Sequence, residues 1–158
     1  MEEIYKEYAQ KVYSYLLNLT NNKDIAEELL QETFYSAVKN INKFKYESSI
    51  KTWLYVIAKN KWNDYYKKHK KMNEISLEED LNYQGIVSEE DFFNKEELLD
   101  VYKKIHQLDE KSKEIVYLRI GTNFSFKEIA NITGNTEENA RIIFYRAKTK
   151  LKGDFKNE

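Results

Sequence analysis

Apolar side chains recur at helical spacing in three blocks of the first seventy residues and again near the end of the chain. Ile4, Tyr8, Val12, Tyr15, Leu16 and Leu19 keep the period of one buried helix face, and the paired asparagines Asn21 and Asn22 predict where that helix stops. A second helix is expected from Asp24, whose carboxylate is placed to cap while Glu27 reaches back, through Ile25, Leu29, Leu30, Phe34, Ala37, Val38 and Ile41. Its outer side then carries Glu27, Glu28, Gln31, Glu32 and Tyr35. A third pattern runs from about Ser49 to Lys70, with Ile50, Trp53, Leu54, Ile57 and Tyr65 expected to pack inward. Opposite them, Lys51, Tyr55, Lys59, Trp62 and Tyr66 fall within an arc of about 80° at about 100° per residue.

Residues 124–151 read as two short helices hinged at Gly134. Ser125 and Glu128 have capping-box spacing, so each side chain can satisfy a backbone N–H at the other's position. Ile129, Ala130 and Ile132 supply a buried side, Gly134 can take the positive φ of a helix C-terminus, and Thr136 can cap the next helix. Ala140, Ile143, Phe144, Ala147 and Leu151 form one face of that second helix; Glu138, Arg141, Ile142, Tyr145, Arg146 and Thr149 form the other, with Lys148, Lys150 and Lys152 at the flanks. Two helices joined in this way, the second cationic along its length, outline a DNA-reading helix-turn-helix. A solvated helix closing an ordinary bundle is the plainer alternative, and it leaves Ile142 and Tyr145 unexplained.

Composition narrows the class. The 158 residues contain no proline and only four glycines, which points to an all-α protein, since strand-and-turn folds need more punctuation. Cysteine is absent, so neither disulfides nor thiolate metal sites hold the fold, and His69 and His106 have no ligand spacing. No metal and no cofactor is expected. No window is apolar enough to cross a membrane, and Glu2 and Glu3 before Ile4 do not make a signal peptide, so a cytoplasmic location is expected.

The net charge of −1 hides a division. Residues 1–70 hold twelve lysines against nine carboxylates, residues 71–100 two lysines against ten, and residues 101–158 twelve cationic side chains against eight. Two basic ends flank an acidic middle with no sustained helical period, which predicts domains at 1–71 and 95–158 joined by a linker at 72–94. Acidity there serves solubility or covers a basic surface in the free protein.

The alternation of cations and rings on the third helix is what single-stranded nucleic acid rewards: rings stack on unpaired bases while ammonium groups follow phosphates. Packing against a neighbouring helix is the competing use of those rings. Phe44-Lys45-Tyr46-Glu47-Ser48-Ser49, just before this helix, is placed to receive an extruded base. The carboxylates of the second helix suit the helix dipole, or else form a docking face for a basic partner. No poised nucleophile, metal cluster or phosphate loop occurs at a workable spacing, so an enzyme is not expected.

Three segments together resemble a known family. Asp24-Ile25-Ala26-Glu27-Glu28-Leu29-Leu30-Gln31-Glu32-Thr33-Phe34, then Ser48-Ser49-Ile50-Lys51-Thr52-Trp53-Leu54-Tyr55-Val56-Ile57-Ala58-Lys59-Asn60, and finally Ser125 to Leu151 are similar to the hallmark segments of bacterial RNA polymerase sigma factors of the sigma-70 family, extracytoplasmic-function (ECF) type, in the right order over nearly the whole chain. The resemblance implies a sigma-2-like helical bundle and a sigma-4-like helix-turn-helix. It implies docking of Asp24, Glu27, Glu28, Gln31, Glu32 and Tyr35 on the clamp coiled coil of the largest polymerase subunit, and a further contact with the polymerase flap. Recognition and melting of the minus-10 element would fall to Tyr46, Ser48, Ser49, Lys51, Tyr55, Lys59, Asn60, Trp62 and Tyr66. Duplex reading of the minus-35 element would fall to Ser125, Lys127, Glu138, Asn139, Arg141, Ile142, Tyr145, Arg146 and Thr149.

Departures from the family pattern bear on specificity. Lys45-Tyr46-Glu47-Ser48 stands where many members have a Gly-Asp-Ser-like run, and Thr136-Glu137-Glu138-Asn139-Ala140-Arg141 where many have Pro-Val-Gly-Thr-Val-Lys. Only short tails flank the two expected domains, so regulation is expected from elsewhere, and the resemblance implies a separate anti-sigma protein as its source. The competing reading is a stand-alone helix-turn-helix regulator whose first seventy residues serve dimerisation or effector binding. A purely protein-binding bundle would show no salt-dependent DNA affinity.

Overall fold

In a computed structural model the chain is described over residues 1–70, 100 and 103–156, with backbone alone for 153–156. It divides into two compact units between Asn82 and Tyr83, inside a stretch that is not described. The expected linker, 72–94, lies outside the described residues as well. Every regular element among the described residues is helical, as an all-α protein requires.

The first unit packs three helices on one another: α1 (Glu2–Thr20), α2 (Lys23–Asn40) and α3 (Ile50–His69), with a 3₁₀ turn at Ile41–Lys43 after the second. The joint between α1 and α2 consists of two asparagines with separate tasks. Asn21 takes the left-handed conformation, φ 53°, and its N–H bonds the Leu17 carbonyl at 2.8 Å. Asn22 is extended, and its Oδ1 accepts the Ile25 N–H at 3.1 Å. The buried Thr20 hydroxyl closes the turn, donating to the Asn22 carbonyl at 3.1 Å and accepting the Asn22 N–H at 3.2 Å.

Asn22, rather than the expected Asp24, is therefore the cap of α2. The left-handed residue before it ends α1 early enough for position 22 to meet the first free N–H groups, which leaves Asp24 exposed in the first turn, where its charge suits the dipole. Val38, expected inside, is exposed, while Ala26, Leu29, Thr33, Phe34 and Ala37 face inward. Thr33 tolerates burial because its hydroxyl donates to the Leu29 carbonyl at 2.7 Å.

The buried arc of α3 is turned from its expected setting by roughly a third of a turn. Thr52, Leu54, Tyr55, Ala58 and Trp62 are its buried side chains, while Ile50, Trp53, Ile57 and Tyr65 are half-buried. This corrects the expectation that Tyr55 and Trp62 stand on an exposed ridge: they are 0 % and 6 % exposed, and the Tyr55 ring lies 5.0 Å from that of Tyr15. The cause is that α3 lies against both α1 and α2, and the large rings fill the space between two neighbours.

The second unit sets shorter pieces against one long helix. A helical segment at 103–106 precedes α4 (Glu110–Val116), which widens into a π turn at Tyr117–Gly121, followed by α5 (Phe126–Thr133) and α6 (Glu137–Lys156). Helices α4 and α5 both pack on α6. Ile115, Val116, Leu118, Phe124, Ile129, Ile132, Ala140, Phe144 and Ala147 are among the buried side chains. No described helix is long and apolar enough to cross a membrane.

Candidate nucleic-acid interface

Three surfaces gather the residues singled out by sequence. The first is the outer face of α2, where Asp24, Glu27, Glu28, Gln31, Glu32 and Tyr35 are all exposed, Tyr35 at 72 %. Val38 extends the same strip, so an acidic patch runs into an apolar one. The field of the carboxylates reaches α1: burial first, then Glu27 and Asp24, push the Tyr13 phenol above its ordinary value.

The second surface is the loop leading into α3. Ser49 caps the helix, its Oγ accepting the Thr52 N–H at 3.0 Å, and Ser48 Oγ donates to the Ser49 carbonyl at 3.3 Å. Ahead of them Tyr46 is 84 % exposed and holds a left-handed φ of 59°. Its ring sits 4.6 Å from Phe44, and Phe44 in turn sits 5.0 Å from Trp53. Phe44 is buried and Trp53 half-buried, so the exposed ring stands on a packed aromatic base. Of the other expected residues, Asn60 and Tyr66 are exposed and Lys51 and Lys59 half-buried, whereas Tyr55 and Trp62 belong to the core. Trp62 instead starts an internal stack, 6.0 Å from Tyr65, which lies 4.0 Å from His69.

Phe44 falls within the expected base-receiving segment, whereas Trp53, expected to pack inward, is the residue that the periodicity of α3 missed as a support of this surface. The usable signal was three aromatic residues at 44, 46 and 53 around a helix start, close enough in sequence to meet once Ser49 capped the helix.

The third surface is the α5–α6 pair. Ser125 and Glu128 form the capping box in full, with both hydrogen bonds at 3.1 Å. Gly134 is left-handed at φ 74°, and Thr136 Oγ1 accepts the Asn139 N–H at 3.1 Å to start α6. Ala140, Phe144 and Ala147 are buried, with Ile143 and Leu151 half-buried beside them. Outside stand Glu138, Asn139, Arg141, Ile142, Tyr145, Arg146 and Thr149, all exposed, with Ser125 and Lys127 exposed at the start of α5. Arg141 is tied to Glu137 at 3.1 Å, and its guanidinium lies 5.3 Å from the Phe126 ring. Arg119, from the π turn, covers the same ring at 4.3 Å and donates to the Phe124 carbonyl at 2.9 Å, so it fixes the entry to α5. Sequence reading had not marked it.

The profile of Sigma-70 region 2 matches residues 4–72, which contain the first two surfaces, and that of Sigma-70 region 4 matches residues 105–153, which contain the third. Over 156 residues the chain is 34 % identical to the ECF RNA polymerase sigma factor SigM of Bacillus subtilis (strain 168), covering 96 % of this chain and 93 % of that one. The chain belongs to the ECF sigma factors of the sigma-70 family.

Further relatives agree. This sigma factor is 28 % identical over 155 residues to the RNA polymerase sigma factor YlaC of Bacillus subtilis (strain 168), covering 96 % and 90 % of the two chains. Its fold is like that of the sigma factor RpoE solved in complex with the anti-sigma factor NepR from Bartonella quintana, with a TM-score of 0.73, 21 % identity, and 99 % and 98 % of the chains covered. CnrH, solved in complex with the cytosolic domain of CnrY, gives a TM-score of 0.67 at 18 % identity, covering 99 % of this chain and 88 % of that one. A sigma factor acts in transcription initiation with core RNA polymerase on promoter DNA, and membership in this family sets aside the stand-alone regulator.

Proposed function

We propose that the first unit binds core polymerase through the outer face of α2 and opens the minus-10 element with the Tyr46 loop, while α6 reads the minus-35 element as duplex. The observation that carries this reading is Tyr46, a large ring exposed at the tip of a loop, in a backbone conformation few non-glycine residues adopt, propped on Phe44 and Trp53. A ring so placed suits stacking on an unpaired base. Ser48, Ser49, Lys51, Lys59, Asn60 and Tyr66 line the path beyond it, and Tyr55 and Trp62 serve by holding α3 in place. No nucleotide hydrolysis is required, because strand opening draws on binding energy.

On α2, Asp24, Glu27, Glu28, Gln31 and Glu32 offer carboxylates and amide to a basic coiled coil, with Tyr35 and Val38 as its apolar anchor. The largest-subunit clamp is the proposed partner there, and the polymerase flap the partner of the second unit. Residues 1–71 and 95–158 are the proposed functional domains, with 72–94 as linker. A separate anti-sigma factor is proposed to hold this cytoplasmic factor inactive; the fold likeness to RpoE, solved in complex with the anti-sigma factor NepR, supports that assignment.

Transcription in vitro with purified core polymerase and a genomic promoter library tests the reading. Initiation dependent on this chain, with permanganate-reactive thymines near minus 10 that disappear in Tyr46→Ala, is the expected result. Wild-type permanganate patterns in Tyr46→Ala would remove the loop from melting.

A further inference from the structure

The outer face of α6 contains a shallow open hollow lined by Arg141, Ile142, Tyr145, Arg146 and Thr149. Ile142 and Tyr145, 41 % and 50 % exposed, are three residues apart and form its apolar floor. Tyr145 is propped from behind by Phe144 at 5.4 Å and Phe126 at 6.0 Å. The Thr149 hydroxyl donates to the Tyr145 carbonyl at 2.9 Å, and Thr149 completes the lining. Cations surround the floor: Arg141, steadied by Glu137, Arg146 on the next turn, and Lys148 with its Nζ 5.8 Å from the Tyr145 ring.

A surface apolar at its centre and cationic at its edges suits a ligand with a methyl group set between anions. The major groove of duplex DNA presents that arrangement at thymine, whose 5-methyl is the apolar feature among the base edges and is flanked by phosphates. Among the base edges of the major groove, two large apolar side chains gain most from a methyl, whereas the other edges reward hydrogen-bonding groups.

We propose that Ile142, backed by Tyr145, reads the 5-methyl group of a thymine in the upstream promoter element, with Arg141 and Arg146 engaging the groove on either side. This rests on the reading of α6 as the duplex-facing helix. It adds a constraint on the promoter itself: a thymine lies opposite the N-terminal third of the recognition helix, and its methyl contributes to selection.

The test uses the full chain assembled with core polymerase, on the promoter recovered by transcription in vitro. Each thymine of the protected upstream element is replaced in turn by deoxyuridine, which removes the methyl and keeps the hydrogen-bonding edge. At one position this is expected to weaken upstream binding by wild type about fourfold, the factor that burial of one methyl-sized group carries. Ile142→Ala should lose a similar factor on the thymine template and respond to deoxyuridine not at all. The wild-type series needs no variant, and thermal melting of Ile142→Ala at the wild-type temperature keeps the second series a measure of binding. A flat wild-type response at every position, an upstream element without thymine, or equal losses for Ile142→Ala on both templates would overturn the methyl reader and leave duplex recognition by α6 standing. Absence of any upstream protection by the wild-type assembly would instead overturn the reading of α6 on which the proposal rests.

Discussion

The two units of this chain reach defined helices by different routes. The first uses three long helices held by rings: Tyr15 against Tyr55, Tyr5 against Phe34, and Phe44 against Trp53. The second sets two short helices, α4 and α5, against the long α6 and fixes them at their ends, by Asp109 at α4, the Ser125–Glu128 box at α5, Gly134 after it and Thr136 at α6. Short helices gain little from propensity alone, so their boundaries depend on caps; long helices sustain themselves and can leave position to packing. The difference teaches where each unit is sensitive: the first to lost volume inside, the second to lost polar groups at its joints.

The sharpest break of that comparison contrasts two tyrosines of the first unit. Tyr55→Ala should cost about 3–5 kcal/mol, the range for deleting a buried aromatic side chain, read as a lowered melting temperature. Tyr46→Ala should change stability by no more than about 0.5 kcal/mol, as an exposed site does. It should nevertheless reduce open-complex formation about tenfold, the cost of one lost stacked base. Equal melting curves for the two variants would contradict the burial of Tyr55.

In the second unit the largest expected effect is on binding. Arg146→Ala should weaken upstream duplex affinity about tenfold and flatten its salt dependence by about one phosphate contact, measured by titration at several ionic strengths. Ser125→Ala should destabilise by about 1 kcal/mol, seen as faster amide exchange through α5 with α1–α3 unchanged. A uniform loss across both units would show that the caps are not local devices.

The smallest effect is a difference in response to acid. Burial, followed by the nearby Lys113, lowers the His106 pKa below its ordinary 6.5, with Glu110 opposing. The folded state therefore favours neutral His106. Its contribution is fully present above the unfolded value and is lost as pH falls through the folded one. The second unit should accordingly soften below a pH of about 6.5, and His106→Gln should remove that component, as followed by amide exchange at the two pH values on either side.

Caps are written in adjacent residues, and this is why α5 and α6 were legible from sequence, while α4 and the π turn after it were not. Ser125, Glu128, Gly134 and Thr136 specify their bonds within four residues of themselves, and the stripe through Ala140, Phe144 and Ala147 followed once α6 had a start. The buried side of α3 was not legible in the same way, because a helix with Trp53, Leu54, Tyr55, Val56, Ile57, Trp62, Tyr65 and Tyr66 is apolar in nearly every direction. Which of those rings goes inside depends on α1 and α2 together, and a period read from one segment does not contain them. The start of α2 failed for a smaller reason: two plausible caps stand two residues apart, and the left-handed turn at Asn21 selects Asn22.

The joint between α1 and α2 has a mechanical consequence. Asn21 and Asn22 are each committed to one helix end, and Thr20 ties the turn crosswise, so no slack separates the two rods. Load applied by anything grasping the acidic side of α2 passes straight into α1, and both move as one lever.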